Sequence, residues 1–438
     1  MEKEVLLSLS ICLLSGLLLS RLAKLLQLPA VTAYLIAGIL VGPFVLGRLG
    51  VEGLGFTSLD SVESFSILKD IALGFIAFSI GNEFRLSQLK KIGKQATVIG
   101  IVQAVVTTLL VDAALICFHL AQPDKLSLPA AIVLGAVASA TAPAATLMVV
   151  RQYKAKGPLT DILLPVVALD DAVGLVLFAI SFGVAKALGT AGGVSLTSVL
   201  VEPVLEVILS LILGAVMGWL FTFCERFFHS RSKRMAMSVT FILLTVGLSM
   251  MKFEIGGVHI AFSSLLVCMM LGTVFCNICD FSEELMDRVD RWTAPIFILF
   301  FVLSGAELDF RVFSDLAIVL VGVVYILSRS AGKYLGAFSS AKMVKCDKNI
   351  VKYLGITLLP QAGVALGMAD MVKGSVEFAG TNIASIVVSI TLFAVLIYEL
   401  VGPALTKNAL LKAGDINPEG KTSARHDHAK NKKEAHQA

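Results

Sequence analysis

The sequence predicts an all-α polytopic membrane protein, and three observations lead there. Of the 438 residues, 57% are hydrophobic and only 16% are charged. A water-soluble chain carries about a quarter of its residues as charges. The apolar residues gather into thirteen runs, at about 5–20, 30–47, 65–84, 96–118, 128–150, 159–185, 199–223, 235–251, 258–278, 293–308, 315–341, 350–372 and 383–405. Most of them approach the ~20 residues a helix needs to cross the hydrocarbon of a bilayer. Third, two adjacent carboxylates, Asp170 and Asp171, sit near the centre of the run 159–185. A charge at that depth costs about 2.5–3.5 kcal/mol even on the lenient insertion scale, so acids persist there by function or by pairing.

The first run follows Glu2-Lys3-Glu4 and lacks a small-residue cleavage site, so it is read as a retained span. The loops set the orientation. Those after odd-numbered runs hold Lys90-Lys91, Arg231 to Arg234, Lys345 and Lys348, more than twice the Lys and Arg of the opposite side. The positive-inside rule then puts the N-terminus outside and the C-terminus in the cytoplasm, which an odd number of spans requires. Cys12, Cys117, Cys224 and Cys268 lie inside apolar runs and read as small core residues. Cys276 and Cys279 have the spacing of half a zinc site with no second pair. The stretch 414–438 is polar, rich in Lys and His, and reads as a disordered cytoplasmic tail. No nucleotide-binding fingerprint follows the last run, and nothing points to nucleic acid.

Two runs carry helix breakers in their middle. One reads Ser139-Ala140-Thr141-Ala142-Pro143-Ala144, the other Leu359-Pro360-Gln361-Ala362-Gly363. Proline removes a backbone donor and clashes with the preceding turn. A single proline usually means only a kink. The positions of these two say more: each is the fifth run of a set of six, and an offset of seven runs inverts one set relative to the other. Paired broken helices in inverted repeats mark transporter binding sites. The helix ends exposed at each break suit a cation and its counter-charges.

Run 315–341 carries Arg329 and Lys333, four apart on one helix face. Glu399 in the last run lies at a similar depth, which predicts a Lys333–Glu399 or Arg329–Glu399 pair. Gln103 and Asp112 read as packing groups or outward-facing ones. Glu307 and Asp309, at the end of run 293–308, read as outer-surface acids, with a place in an ion entry path as the alternative. His259 reads as an interface residue.

In order and spacing these motifs resemble the bacterial monovalent cation:proton antiporters, the branch with sodium/proton antiporters and potassium-efflux transporters. The marks are Leu28-Pro29-Ala30, Gly38 with Gly42-Pro43, Phe78 with Gly81-Asn82-Glu83, Thr141-Ala142-Pro143, Leu169-Asp170-Asp171, Arg329 with Lys333 and Gly336, and Pro360-Gln361-Ala362-Gly363. They span about residues 5–408. The resemblance implies thirteen helices with two crossed broken ones, a homodimer, and a bacterial inner-membrane location. It implies a dimerisation scaffold from 1–84 and 235–308, a mobile core from 96–185 and 315–405, and a linker helix at 199–223. It makes Asp171 the principal ion and proton carrier, assisted by Asp170, with Thr141 and the unwound backbone at Ala142, Pro143, Pro360, Gln361 and Gly363 completing a Na+ site. The basic residue of the family's site falls on Lys333 by spacing, with Arg329 as the other candidate.

The expected activity is exchange of Na+ (or Li+) for protons by alternating access, with no cofactor beyond the transported ions. Asp170 and the lack of a nucleotide-binding tail favour sodium, and K+/H+ exchange is the alternative. A cation channel needs a repeated filter, and a membrane ion or pH sensor needs a signalling domain; neither is visible. An enzyme is not expected.

Overall fold

The computed structural model describes residues 2–416 apart from 26–29, 52–53, 143–145, 147–148, 151–152, 190–201, 252, 256–257, 261, 309–310, 312–313 and 379. The described chain is almost wholly helical. Among the described residues, six helices contain stretches long and apolar enough to cross a bilayer alone: α1 (Glu2–Leu25), α5 (Leu86–Ala121), α7 (Pro158–Gly189), α8 (Glu202–Glu225), α12 (Leu316–Met343) and α15 (Asn382–Ala413). Shorter helices fill the rest: α2 (Ala30–Val41), α3 (Leu59–Glu63), α4 (Ser66–Glu83), α6 (Leu128–Val137), α9 (Arg231–Ser249), α10 (Ser264–Ile278), α11 (Ser282–Ala306), α13 (Lys348–Thr357) and α14 (Gly363–Lys373).

Two predicted boundaries change for physical reasons. The run expected at 258–278 starts as a hairpin, with β1 (Phe253–Ile255) antiparallel to β2 (Val258–Ile260), and helix α10 begins only at Ser264. The alternating residues around Gly256-Gly257 are a hairpin signal that hydropathy alone overrides. The run expected at 293–308 is the apolar end of a longer helix. The first turns of α11 hold Glu283, Glu284 and Arg288, with Arg288 bonded to Glu284 one turn away.

Both runs with breakers are interrupted. Helix α6 has ten residues, α13 ten and α14 eleven. At 1.5 Å per residue each spans about 15 Å, half of the hydrocarbon thickness. Residues 138–142 and 358–362 between or beyond them are not regular helix. Helix α5 has its own irregularity at Gly93, where φ is +77° and two helical pieces join. That left-handed backbone is open to glycine and strained for other residues.

Helix α5 packs on α12 and α7, α6 lies against α7, and α13 lies against α12 and α15. Helix α2 packs on α1 and α11, and α10 on α4 and α8. Some of this contact is backbone on backbone. A Cβ on Gly38 would overlap the carbonyl oxygen of Val302, and one on Gly305 the carbonyl of Leu35. Small residues let membrane helices approach this closely where the hydrophobic effect supplies no drive between them. The acid-bearing α7 is anchored from the other end of the chain. Asp415, just past α15, accepts hydrogen bonds from the Thr160 amide (2.7 Å) and hydroxyl (2.8 Å) in the first turn of α7.

Gly38→Val should separate α2 from α11 and lower the melting temperature of the detergent-solubilised protein. A cost of about 1–3 kcal/mol is expected for overpacking of this kind, and an unchanged melting curve would rule out this close contact.

Candidate functional site

Both half-helix breaks expose carbonyls that have no helical partner, and inside a membrane such groups need one. Arg329 supplies it. Its Nε donates to the Ala138 carbonyl at 3.0 Å, Nη2 to Ala140 at 2.7 Å, and Nη1 to Leu359 at 2.7 Å. The guanidinium therefore bonds both breaks at once, using the fixed fork of donors that a lysine lacks. Its free face lies over the Tyr398 ring, 4.4 Å from the centroid. The breaks also bond each other: the Ala142 amide donates to the Pro360 carbonyl at 2.8 Å. Gln361 donates from Nε2 to the Val137 carbonyl and to the Tyr325 hydroxyl, each at 3.0 Å.

One turn along α12, Lys333 is fully buried. Its Nζ lies 2.7 Å from Asp170 Oδ2, 2.8 Å from Thr141 Oγ1 and 3.1 Å from Gln103 Oε1, and it also donates to the Ser139 carbonyl. Gln103 turns its amide nitrogen to Asp170 Oδ1, and the Thr141 hydroxyl donates to Oδ2. Asp170 is thus held by a cation, an amide and a hydroxyl from three other segments.

Asp171 is as deeply buried, at 1% exposure. Adjacent helical residues point about 100° apart, so Asp171 faces elsewhere. It lines a cavity of about 450 Å³ together with Thr141, Ala142, Ala362 and Gly363. The opposite wall is Tyr34, Ser79, Phe297 and Phe301 from α2, α4 and α11. One acid of the pair is locked into a charge network and the other borders open space beside the broken backbone.

The pair expected between Glu399 and either Lys333 or Arg329 does not form. Lys333 is engaged by Asp170 and Arg329 by carbonyls, and Glu399 Oε2 is buried with no hydrogen-bond partner among the described residues. Glu399 is one residue out of phase. Its neighbour Tyr398 takes the position over Arg329, and the Tyr398 hydroxyl donates to the Ile326 carbonyl at 2.7 Å. Pro143 lies outside the described residues. The structure brings together Asp170, Asp171, Thr141, Ala142, Pro360, Gln361, Gly363, Lys333 and Arg329. Sequence reasoning undervalued Gln103, which belongs to the site. The available signal was an amide in mid-run, spaced i, i+4 from Thr107, whose hydroxyl bonds the Gln103 carbonyl. Glu307, expected on the outer surface, is buried at 7% exposure between lysines, because α4 and α14 close over it.

The family described as sodium/hydrogen exchanger, transmembrane, matches residues 8–407. The chain belongs to that family. It is a multi-pass membrane transporter of the monovalent cation:proton antiporter class. It is similar to the Na(+)/H(+) antiporter NhaS4 of Synechocystis, with 26% identity over 349 residues covering 78% of this chain and 82% of that one. It is also similar to the ammonium/H(+) antiporter subunit AmhT of Alkalihalophilus pseudofirmus, with 24% identity over 386 residues covering 84% and 87%. Among solved structures, the sodium proton antiporter MjNhaP1 of Methanocaldococcus jannaschii at pH 8 superposes with a TM-score of 0.70. At 20% identity, over 94% of this chain and 99% of that one, the match supports the fold.

Arg329→Ala leaves three buried carbonyls without their donor, and at about 1–3 kcal/mol for each unsatisfied group it should lower thermal stability by several kcal/mol. Arg329→Lys should recover only part of it. The measurement is a melting curve in detergent; a near-neutral Arg329→Ala would remove Arg329 from its place between the breaks.

Proposed function

We propose that this protein exchanges Na+ for protons by alternating access, with Asp171 as the group that binds cation and proton in turn. The observation that carries the reading is the division of labour between the two acids: Asp170 is neutralised by Lys333, and Asp171 borders the cavity beside Thr141 and the broken backbone. A small hard cation takes oxygen ligands. The Asp171 carboxylate, the Thr141 hydroxyl and carbonyls of the breaks are such ligands, with Asp170 within the same cluster. Protonation of Asp171 removes the charge that attracts the cation, so the two compete.

Charge balance then couples the transport. Lys333 offsets Asp170 and Arg329 is met by backbone carbonyls, so the Asp171 carboxylate at the cavity is the charge that a bound cation or a bound proton neutralises. If the ionised, empty site is held back by the low-dielectric barrier, each crossing carries one or the other. Should Lys333 also release its proton as cation enters, two protons exchange for one cation. The cycle then moves charge and gains about 2.3 kcal/mol per charge per 100 mV of membrane potential.

In this reading the chain has thirteen spans in two inverted sets, lies in a bacterial inner membrane as a homodimer, and has its C-terminus in the cytoplasm. The segments 96–185 and 315–405 move as a core against a scaffold of 1–84 and 235–308. Potassium remains the alternative cargo of this reading, and the match to an ammonium/H(+) antiporter subunit adds ammonium.

The test is purified protein in vesicles with an internal pH dye, under imposed Na+, Li+, K+ or ammonium gradients, with the membrane potential clamped or free. Wild type should move protons against a Na+ gradient, and Asp171→Asn should abolish the movement. Asp170→Asn should leave a smaller residual activity with weakened apparent cation affinity. Full exchange in Asp171→Asn would overturn the assignment of the carrier.

A further inference from the structure

A second buried charge cluster lies away from the paired acids. Lys69 of α4 is 1% exposed and sits 2.7 Å from Glu307, at the end of α11. It also bonds Asp370 of α14. Lys373, one turn further along α14, reaches Glu307 at 3.0 Å. Two of the four side chains come from the segments assigned to the scaffold and two from those assigned to the core.

The cluster lies about two turns away from the cavity along the same three helices. On α4 the cavity is lined by Ile76, Ser79 and Ile80, and Lys69 lies seven residues before the first of them. On α11 the cavity reaches Phe301, six residues before Glu307. On α14 it reaches Val364, six residues before Asp370. At 1.5 Å per residue each offset is about 10 Å, in one direction. Apolar contacts fill the interval: Phe301 lies against Gly363, and Leu73 against Gly367. The cluster sits at the start of α4 and the end of α11, toward the side whose loops are poor in Lys and Arg.

We infer that Lys69, Glu307, Asp370 and Lys373 form a latch that closes the outer mouth of the ion path while Asp171 faces the opposite side. The bonding pattern suits a switch. Closed, the scaffold–core bonds are Lys69–Asp370 and Lys373–Glu307. If the walls part, Lys69 keeps Glu307 on the scaffold. Asp370 and Lys373, three apart on one helix, can then pair on the core. Each wall carries one cation and one anion, so opening strands no unpaired charge, the costly outcome for a buried network. Small shifts can be converted into discrete states by packed interfaces of this kind. The inference rests on the scaffold and core division proposed above.

The test uses full-length protein with its native cysteines replaced, reconstituted in vesicles. A reporter cysteine, Ser79→Cys, lines the cavity and is labelled by a membrane-impermeant maleimide from either side. With the latch intact, labelling should be faster from the side of the basic loops. Lys373→Ala should slow that labelling several-fold and speed labelling from the other side, and Lys373→Arg should restore the original ratio. In a second variant, Glu307→Cys with Lys373→Cys, a short bis-methanethiosulfonate linker should stop exchange, and a reducing agent should restore it. Unchanged labelling in Lys373→Ala, or undiminished exchange in the linked protein, overturns the latch. Labelling needs no transported ion, so a failure of the exchange reading shows separately, as absent proton movement in wild type.

Discussion

A backbone carbonyl that loses its helical partner inside a bilayer must find another, and in this protein the guanidinium of Arg329 is that partner for both half-helix breaks. The rest of the site follows from this constraint. Because Arg329 holds Ala138, Ala140 and Leu359 in place, the unwound backbone can stay unwound. Thr141 is then presented to the acids, and Ala142 is close enough to bond Pro360. A charge that would be prohibitive on a lipid-facing helix becomes structural here, because it is met by carbonyl dipoles and a tyrosine ring.

With Arg329 committed to the scaffold of the breaks, Lys333 is the cation left for the acids. The two basic residues share a helix face and differ by one turn, yet their surroundings give them different work. The planar fork of Arg329 suits carbonyls arriving from several directions, whereas the ammonium of Lys333 is a point donor that can give up a proton. The same separation holds for the acids. Asp170 is buried in a bonded cluster and Asp171 faces a cavity, and the 100° step between neighbouring helical residues is enough to separate their roles.

Charge is used in a second way where Lys69, Glu307, Asp370 and Lys373 meet. Around Asp170 the ion pair orders a site; at this second cluster the pairs join helices that lie far apart in the chain. The intervening contacts, Phe301 on Gly363 and Leu73 on Gly367, need glycines opposite large apolar side chains. The broken helix that contributes Gln361 and Gly363 near the paired acids thus also carries the acid and lysine of the far cluster. A movement of this one element would be felt at both places.

The sequence by itself determined the membrane class, the positions of nearly all the helices and the two broken runs, because hydropathy and helix breakers are local properties. It also singled out Asp170, Asp171, Arg329 and Lys333, since ionisable residues in mid-run stand out against lipid. Only the tertiary structure decided which charge meets which. Glu399 was as plausible a partner by depth as Asp170, but partner choice depends on helix phase and neighbours, and these placed Tyr398 over Arg329. Gln103, the burial of Glu307 and the link to Asp370 were hidden for the same reason. A polar residue within or at the end of an apolar run reads alike whether it meets water or another helix, and only packing tells the two apart.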